Sequence, residues 1–291
     1  MSLHWEKAHN MKTKLGQPEQ ILKRWRPGRA QPGKPIAQVI DLFSGAGGMS
    51  LGFSAVGQQT GAFRLLGGVD INETSTQTYA KNFGVLGLSL NVRDLATNQQ
   101  LLEDFLRNVG YDPSIPLVLI GCAPCQGFSA HKKKTWDQPD ERNDLVEVFA
   151  KIVVKLNPAF VVMENVPELL SGKYWKHFAK FKATLESVGY VAKQSIHNSA
   201  EYGTPQERFR ALVIASDKHA FSLPSAVFDA TAFRTVRDAI GDLPEVQPGV
   251  PLSTDPFHRS AGHRPSTLEI LKAIPKNGGS RPRGIGPKCL D

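Results

Sequence analysis

Four groups of residues have the types and spacing to do chemistry together. The first is Gly121-Cys122-Ala123-Pro124-Cys125-Gln126-Gly127-Phe128-Ser129, directly after the apolar run Leu117-Val118-Leu119-Ile120. A cysteine placed after a proline, just past a buried strand, is how a fold presents a nucleophile at the carboxyl end of a sheet. Cys125 is the better placed of the pair, with its thiolate beside basic groups, whereas Cys122 lies close to the strand and reads as a packing residue. The second group is Glu164-Asn165-Val166, at the end of an apolar strand over 159–163. A carboxylic acid there can donate a proton to a ring nitrogen. The third is Gln206-Glu207-Arg208-Phe209-Arg210. Alternation in an extended segment puts Arg208 and Arg210 on one face, a pair suited to a carbonyl oxygen and a phosphate. The fourth is His131-Lys132-Lys133-Lys134, which beside a nucleophile reads as a phosphate-contact surface.

Taken singly, each group has a plainer reading. A strand-end Glu and an Arg-x-Arg are commonly surface ion pairs, and a lysine run is commonly a solvated loop. Cys122-x-x-Cys125 is also the spacing of a redox pair or of half a zinc site. Zinc wants a second pair, and the third cysteine, Cys289, stands alone among polar residues. A redox motif wants the start of a helix in a much smaller domain.

The elements that must position these groups alternate in type. Strands are expected at 36–42, 64–70, 117–120, 159–163, 190–197 and 210–215, and helices at 49–56, 73–83, 101–109, 144–156 and 175–188. Strands alternating with helices imply an α/β fold, a mostly parallel sheet with helices on both faces. Residues 1–34 read as an irregular basic arm, 35–217 as the catalytic, cofactor-binding domain, and 218–291 as a Pro- and Gly-rich boundary segment with one short helix at 266–273.

The first strand runs into Asp41-Leu42-Phe43-Ser44-Gly45-Ala46-Gly47-Gly48 and then a helix, a nucleotide-type turn. The spacing is neither the dinucleotide G-x-G-x-x-G nor a phosphate loop. The second strand ends in Val69-Asp70-Ile71-Asn72, where a carboxylate can accept from both hydroxyls of a ribose. Asn91-Val92-Arg93-Asp94 closes the next unit with side-chain acceptors for an adenine amino group. These residues imply an adenosine-containing cofactor, with S-adenosylmethionine and NAD both open.

Net charge is +8, which favours a polyanionic partner, and residues 1–34 carry eight Lys/Arg against Glu6 and Glu19. No apolar run reaches the roughly 18 residues of a membrane span, so no membrane role is expected. Three cysteines make no disulfide framework, so a reducing, cytoplasmic setting is expected.

From about Ile36 to Ala215 the chain resembles the cytosine-5 DNA methyltransferase family of bacterial modification enzymes. The resemblance rests on the Asp41–Gly48 string, Val69-Asp70, Pro124-Cys125-Gln126, Glu164-Asn165-Val166 and Gln206–Arg210, in the family's order. It implies a class I, Rossmann-like methyltransferase fold and S-adenosylmethionine as cofactor, with S-adenosylhomocysteine as product and no metal. By that resemblance Phe43, Gly45 and Gly48 line the methionine and adenosine, with Asp41, Ser44 and Val92 in the same pocket. Asp70 holds the ribose, and Ile71, Pro124 and Leu145 pack around the adenine and the sulfonium. The family often has an Asp where this chain has Asn91; Asn91 can still accept, and Asp94 is its rival.

The implied reaction adds the Cys125 thiolate to carbon 6 of a cytosine flipped from duplex DNA, with Glu164 at N3 and Arg210 and Arg208 near O2. Gln126, Ser129, Lys132, Lys133, Lys134 and Arg142 are the expected DNA contacts, on a loop that closes over the base. The setting implied is a bacterial or phage restriction-modification system, with a cognate endonuclease as a functional partner. An RNA-modifying enzyme and an inactive binding remnant are the alternatives. After Arg210 the family's later pattern is not found, and 218–291 resembles the opening of a target-recognition region. The expectation is a fragment, or one subunit completed by a second polypeptide.

Overall fold

Alternation along the strands divides the apolar residues between two faces of one sheet. β1 (Ala37–Leu42) sends Ile40 and Leu42 to one side and Ala37 and Val39 to the other. β4 (Leu117–Gly121) does the same with Leu117 and Leu119 against Val118 and Ile120. Every residue of both strands is buried, so helices must cover both faces. The computed structural model describes residues 18–124, 144–250, 254–255, 257–275 and 279–286.

The remaining strands are β2 (Phe63–Asp70), β3 (Leu86–Ser89), β5 (Phe160–Asn165), β6 (Val191–Asn198) and β7 (Phe209–Ser216). One face is covered by α2 (Gly48–Thr60) and α3 (Glu73–Phe83), whose Tyr79 and Phe83 pack on Val39, Leu65 and Ile120. The other carries α4 (Val92–Thr97), α5 (Gln99–Asn108), α6 (Leu145–Leu156) and α7 (Trp175–Glu186). There Phe149 stacks on Phe181, and Phe181 on Phe178, with centroids 6.0 and 6.4 Å apart. Local signals set the helix ends. Asn72 caps α3 by accepting from the Ser75 amide, Gly84 ends it, and Asn157-Pro158 ends α6.

The strand order is β3-β2-β1-β4-β5-β7-β6. β1 to β5 pair in parallel, and β7 runs antiparallel between β5 and β6. Two consequences position the site. The order reverses between β1 and β4, which opens a crevice at the carboxyl ends of those strands, where ligands bind in open α/β sheets. Because β7 is reversed, its amino end, with Arg210, lies on that same edge.

The structure differs from the sequence expectation at several places. Residues 18–34 are not irregular throughout: they contain α1 (Pro18–Arg24) and pack on α2 and α3. β3 and α4 were not expected, because each is too short for its periodicity to register. The chain forms two compact units, Met1–Thr235 and Val236–Asp291. The second contains α8 (Val236–Ile240) and α9 (Pro265–Ala273), and neither helix has a buried residue.

Candidate active site

The turn after β1 is held by backbone contacts that force unusual conformations. The Ser44 amide donates to the Val69 carbonyl at 3.0 Å, and the Gly47 amide donates to the Ser44 carbonyl at 2.9 Å. Asp70, at the end of β2, accepts from the Gly45 amide (2.9 Å) and from the Asn72 amide (2.9 Å). Within this frame Phe43 has φ 59°, a left-handed conformation that costs a bulky residue about 1–3 kcal/mol. Gly47 has φ 98°, and a Cβ there would lie 2.1 Å from the Phe83 ring. Phe43 meets Phe149 edge-on at 6.5 Å. Strain held so firmly next to a crevice points to a ligand site.

The residues fit an adenosine-type ligand. A Cβ added at Gly45 or Gly48 would meet no described atom within 4 Å, so the space over the turn is open. Ile71, directly after Asp70, is 73% exposed, an apolar surface free to cover a flat ring. Asn91 caps α4, its side-chain oxygen accepting from the Arg93 amide at 3.0 Å and keeping a second lone pair. Asp94 is exposed in the first turn of α4. Val92 and Leu145, the other expected cofactor contacts here, are buried in the core.

Asp41 does a different job from the one expected of a cofactor contact. It is buried, and accepts from the Ser50 hydroxyl at 2.6 Å; Ser50 in turn bonds the Tyr79 hydroxyl at 2.9 Å. The network ties the end of β1 to the first turn of α2 and to α3. Burial pushes the Asp41 carboxyl up to about 7, Ser50 opposing and Asp70 adding to the shift. The folded state therefore holds the proton more tightly than the unfolded chain. The stabilisation is full below about pH 4 and is lost as pH rises toward 7, by at most about 4 kcal/mol. Asp41→Asn should remove this dependence. Its melting temperature relative to the native chain should rise steadily between pH 4.5 and 8, and a constant difference would show that Asp41 is ionised throughout.

The chemistry edge lies across the crevice. Glu164, at the end of β5, pairs with Arg210 of β7, its Oε1 2.8 Å from Nε. The antiparallel register explains the meeting, since Glu164 lies opposite Leu212 and Asn165 opposite Ala211. Arg208 precedes β7, with its backbone anchored by Asn198 and its side chain exposed. The buried Asn165 donates from Nδ2 to the Ala123 carbonyl at 3.1 Å and accepts from the Val166 amide. It thereby clamps the segment that leaves β4 toward Pro124. In the sequence Asn165 is visible only as part of its motif; its amide position at a strand end is the one signal there for a clamping role. Ser50 and Tyr79 carried no signal at all.

Cys122 is a poor nucleophile. Burial raises its thiol far above the usual range, and Glu164 and Asp41 add to the effect. Cys125, Gln126, Ser129, Lys132, Lys133, Lys134 and Arg142 lie outside the described residues. The far end of that interval is anchored: Arg93 binds Asp144 through two hydrogen bonds of 2.7 and 2.5 Å. The Arg93 guanidinium holds the Asp144 carboxyl below the usual carboxylate range. No cluster of possible metal ligands occurs among the described residues, and no described helix is long and apolar enough to cross a membrane.

This strand order, with a glycine turn after β1 and an acid ending β2, defines the fold as that of a class I S-adenosylmethionine-dependent methyltransferase. Residues 37–277 match the family model described as C-5 cytosine-specific DNA methylase, and the chain belongs to that family. It is 36% identical over 244 residues to the type II methyltransferase M1.HphI of Haemophilus parahaemolyticus, covering 83% of this chain and 62% of that one. It is 35% identical over 217 residues to the type II methyltransferase M.XorII of Xanthomonas oryzae pv. oryzae, covering 74% and 47%. A crystal structure described as a DNA modification methyltransferase encoded within a prophage (E. coli) superimposes with a TM-score of 0.58 at 28% identity, covering 84% of this chain and 66% of that one. The chain thus spans between about half and three-fifths of the length of the curated relatives named here.

Proposed function

We propose that the chain carries the catalytic centre of a DNA cytosine-5 methyltransferase in a restriction-modification setting. The observation that carries this reading is the Glu164–Arg210 pair on the same sheet edge as the glycine turn, on either side of the crevice between β1 and β4. S-adenosylmethionine, when bound, supplies a methyl group on a positively charged sulfur. Asp70 accepts from the ribose hydroxyls while it keeps the Gly45 amide in place, Ile71 covers the adenine, and Phe43 and Pro124 close the sides.

The acceptor is a cytosine turned out of duplex DNA, since carbon 6 cannot be reached within the stack. The Cys125 thiolate adds to carbon 6, and the displaced electron pair makes carbon 5 nucleophilic enough to take the methyl group. Glu164 stabilises the adduct at N3, and Arg210 holds both Glu164 and the O2 side of the base. A base removes the carbon 5 proton, the electron pair returns to the ring, and the thiolate leaves. Arg208, Lys132, Lys133, Lys134, Arg142, Gln126 and Ser129 supply contacts to the DNA.

Two measurements test this. Titration calorimetry with S-adenosylhomocysteine should show binding that Asp70→Ala weakens at least about tenfold, because it removes the ribose acceptor and frees the Gly45 amide. Equal affinity would sink the cofactor assignment. Labelled methyl transfer should be compared on duplex DNA and on tRNA, with carbon 5 of cytosine identified by nucleoside digestion. Transfer confined to tRNA would overturn the acceptor assignment.

A further inference from the structure

Residues 18–34 grip the outer side of α2 and α3. Gln58 of α2, itself buried, spends its side-chain amide on this segment: it accepts from the Arg26 amide at 3.0 Å and donates to the Arg26 and Arg29 carbonyls at 2.8 and 3.0 Å. Gln59 donates to the Ile21 carbonyl at 2.7 Å, and Trp25 donates from Nε1 to Ser54 at 3.0 Å. A segment held by so many directed bonds is a built element, with a defined seat on the domain.

Two contact routes lead from that seat into the glycine turn. In the first, the Trp25 ring meets Phe83 at 5.9 Å, and Phe83 is the residue pressed against Gly47, where no Cβ fits. In the second, the Gly28 amide donates to the Asn82 carbonyl at 3.0 Å, while Asn82 donates from Nδ2 to the Ala46 carbonyl at 3.2 Å. Phe83 and Asn82 are neighbours at the end of α3, and Ala46 and Gly47 are neighbours in the turn. Phe83 also meets Tyr79 at 4.8 Å, the residue that closes the Asp41–Ser50 network.

We infer that residues 18–34 form a strap that positions the Gly45–Gly48 turn for its ligand, with Trp25 and Asn82 as the positioning residues. The inference rests on the assignment of that turn to the cofactor. The physical basis is pre-organisation: a turn already fixed in its bound shape loses less freedom when it takes up a ligand. The strap reaches the turn through Phe83 and Asn82, so its loss should weaken binding by loosening the turn.

The test uses the full chain. Trp25→Ala and Asn82→Ala should each weaken S-adenosylhomocysteine binding about three- to tenfold. Trp25→Phe, which keeps a ring on Phe83, should stay near the native affinity. Arg64→Ala serves as a control, because it removes a hydrogen bond to the far end of the strap, at the Gly33 carbonyl. It should leave affinity unchanged. A second readout is independent of ligand: amide hydrogen exchange at Gly45 and Gly47 should accelerate in Trp25→Ala and Asn82→Ala, and not in Arg64→Ala. Unchanged exchange at these two amides in Trp25→Ala and Asn82→Ala would overturn the strap's role. Accelerated exchange in a chain that binds no S-adenosylhomocysteine would sustain the strap and sink the cofactor assignment instead.

Discussion

Cys125→Ser should lower methyl transfer to DNA by at least about a thousandfold while leaving S-adenosylhomocysteine binding unchanged. A serine hydroxyl is almost the size of a thiol but is not ionised near neutral pH, so the addition to carbon 6 has no nucleophile. The neighbouring cysteine cannot substitute. Cys122 is half-buried, and desolvation, with Glu164 and Asp41 beside it, raises its thiol well above the ordinary range, so its thiolate is strongly disfavoured. Cys122→Ala should therefore keep the reaction that Cys125→Ser loses. The clearest measurement pairs labelled methyl transfer with a search for a denaturant-resistant protein–DNA adduct on DNA carrying 5-fluorocytosine, whose carbon 5 has no proton to lose, so the thiolate cannot leave. An adduct in Cys122→Ala and none in Cys125→Ser is the expected pattern. Full transfer by Cys125→Ser would overturn the covalent mechanism.

The second large effect is expected at Glu164. Glu164→Gln preserves the shape of the side chain and an acceptor for Arg210, but removes the ionisable proton and the negative charge. Transfer should fall by about 10²–10⁴, the usual range for loss of a positioned acid or base. Stability should scarcely change. The Glu164–Arg210 pair is partly open to solvent, with side-chain exposures of 34% and 23%, and such pairs contribute about 1 kcal/mol or less. A large drop in turnover with a small drop in melting temperature is thus the signature of a chemical role. If both fell together, Glu164 would be holding β5 against β7 and acting on nothing else. Arg210→Lys keeps a charge but not the guanidinium fork, and should lie between the native chain and Glu164→Gln.

Much of this was legible in the residues. The buried runs 37–42 and 117–121 and the helical spacing of Leu102 and Phe105 are local patterns, and they announced a sheet covered on both faces. Asp70 and Glu164 were legible as candidates because each ends an apolar strand, though a strand-end acid on its own is as often an ion-pair partner, as Glu164 is to Arg210. Other features could not be read. Four-residue β3 and six-residue α4 carry too few turns of any period. The strap reads as irregular in the sequence because its Pro27-Gly28 and Pro32-Gly33 pairs signal turns, whereas its fixed seat comes from Gln58 and Asn82, far away in the chain. Asp41 looked like a ligand contact and proved to be a buried hub.

The sequence by itself determined the inventory: a cysteine, an acid, paired arginines and a glycine turn, each at the end of a recognisable element, because strand ends are set by short-range patterns. The tertiary structure alone decided which of them meet. The insertion of β7 between β5 and β6, antiparallel to both, brings Arg210 to within 2.8 Å of Glu164, and no local pattern encodes the direction in which a strand enters a sheet. It likewise separated Asp41 from Asp70, one buried beneath the turn and one at its rim, because burial depends on what the whole chain packs over a residue and not on the residue itself.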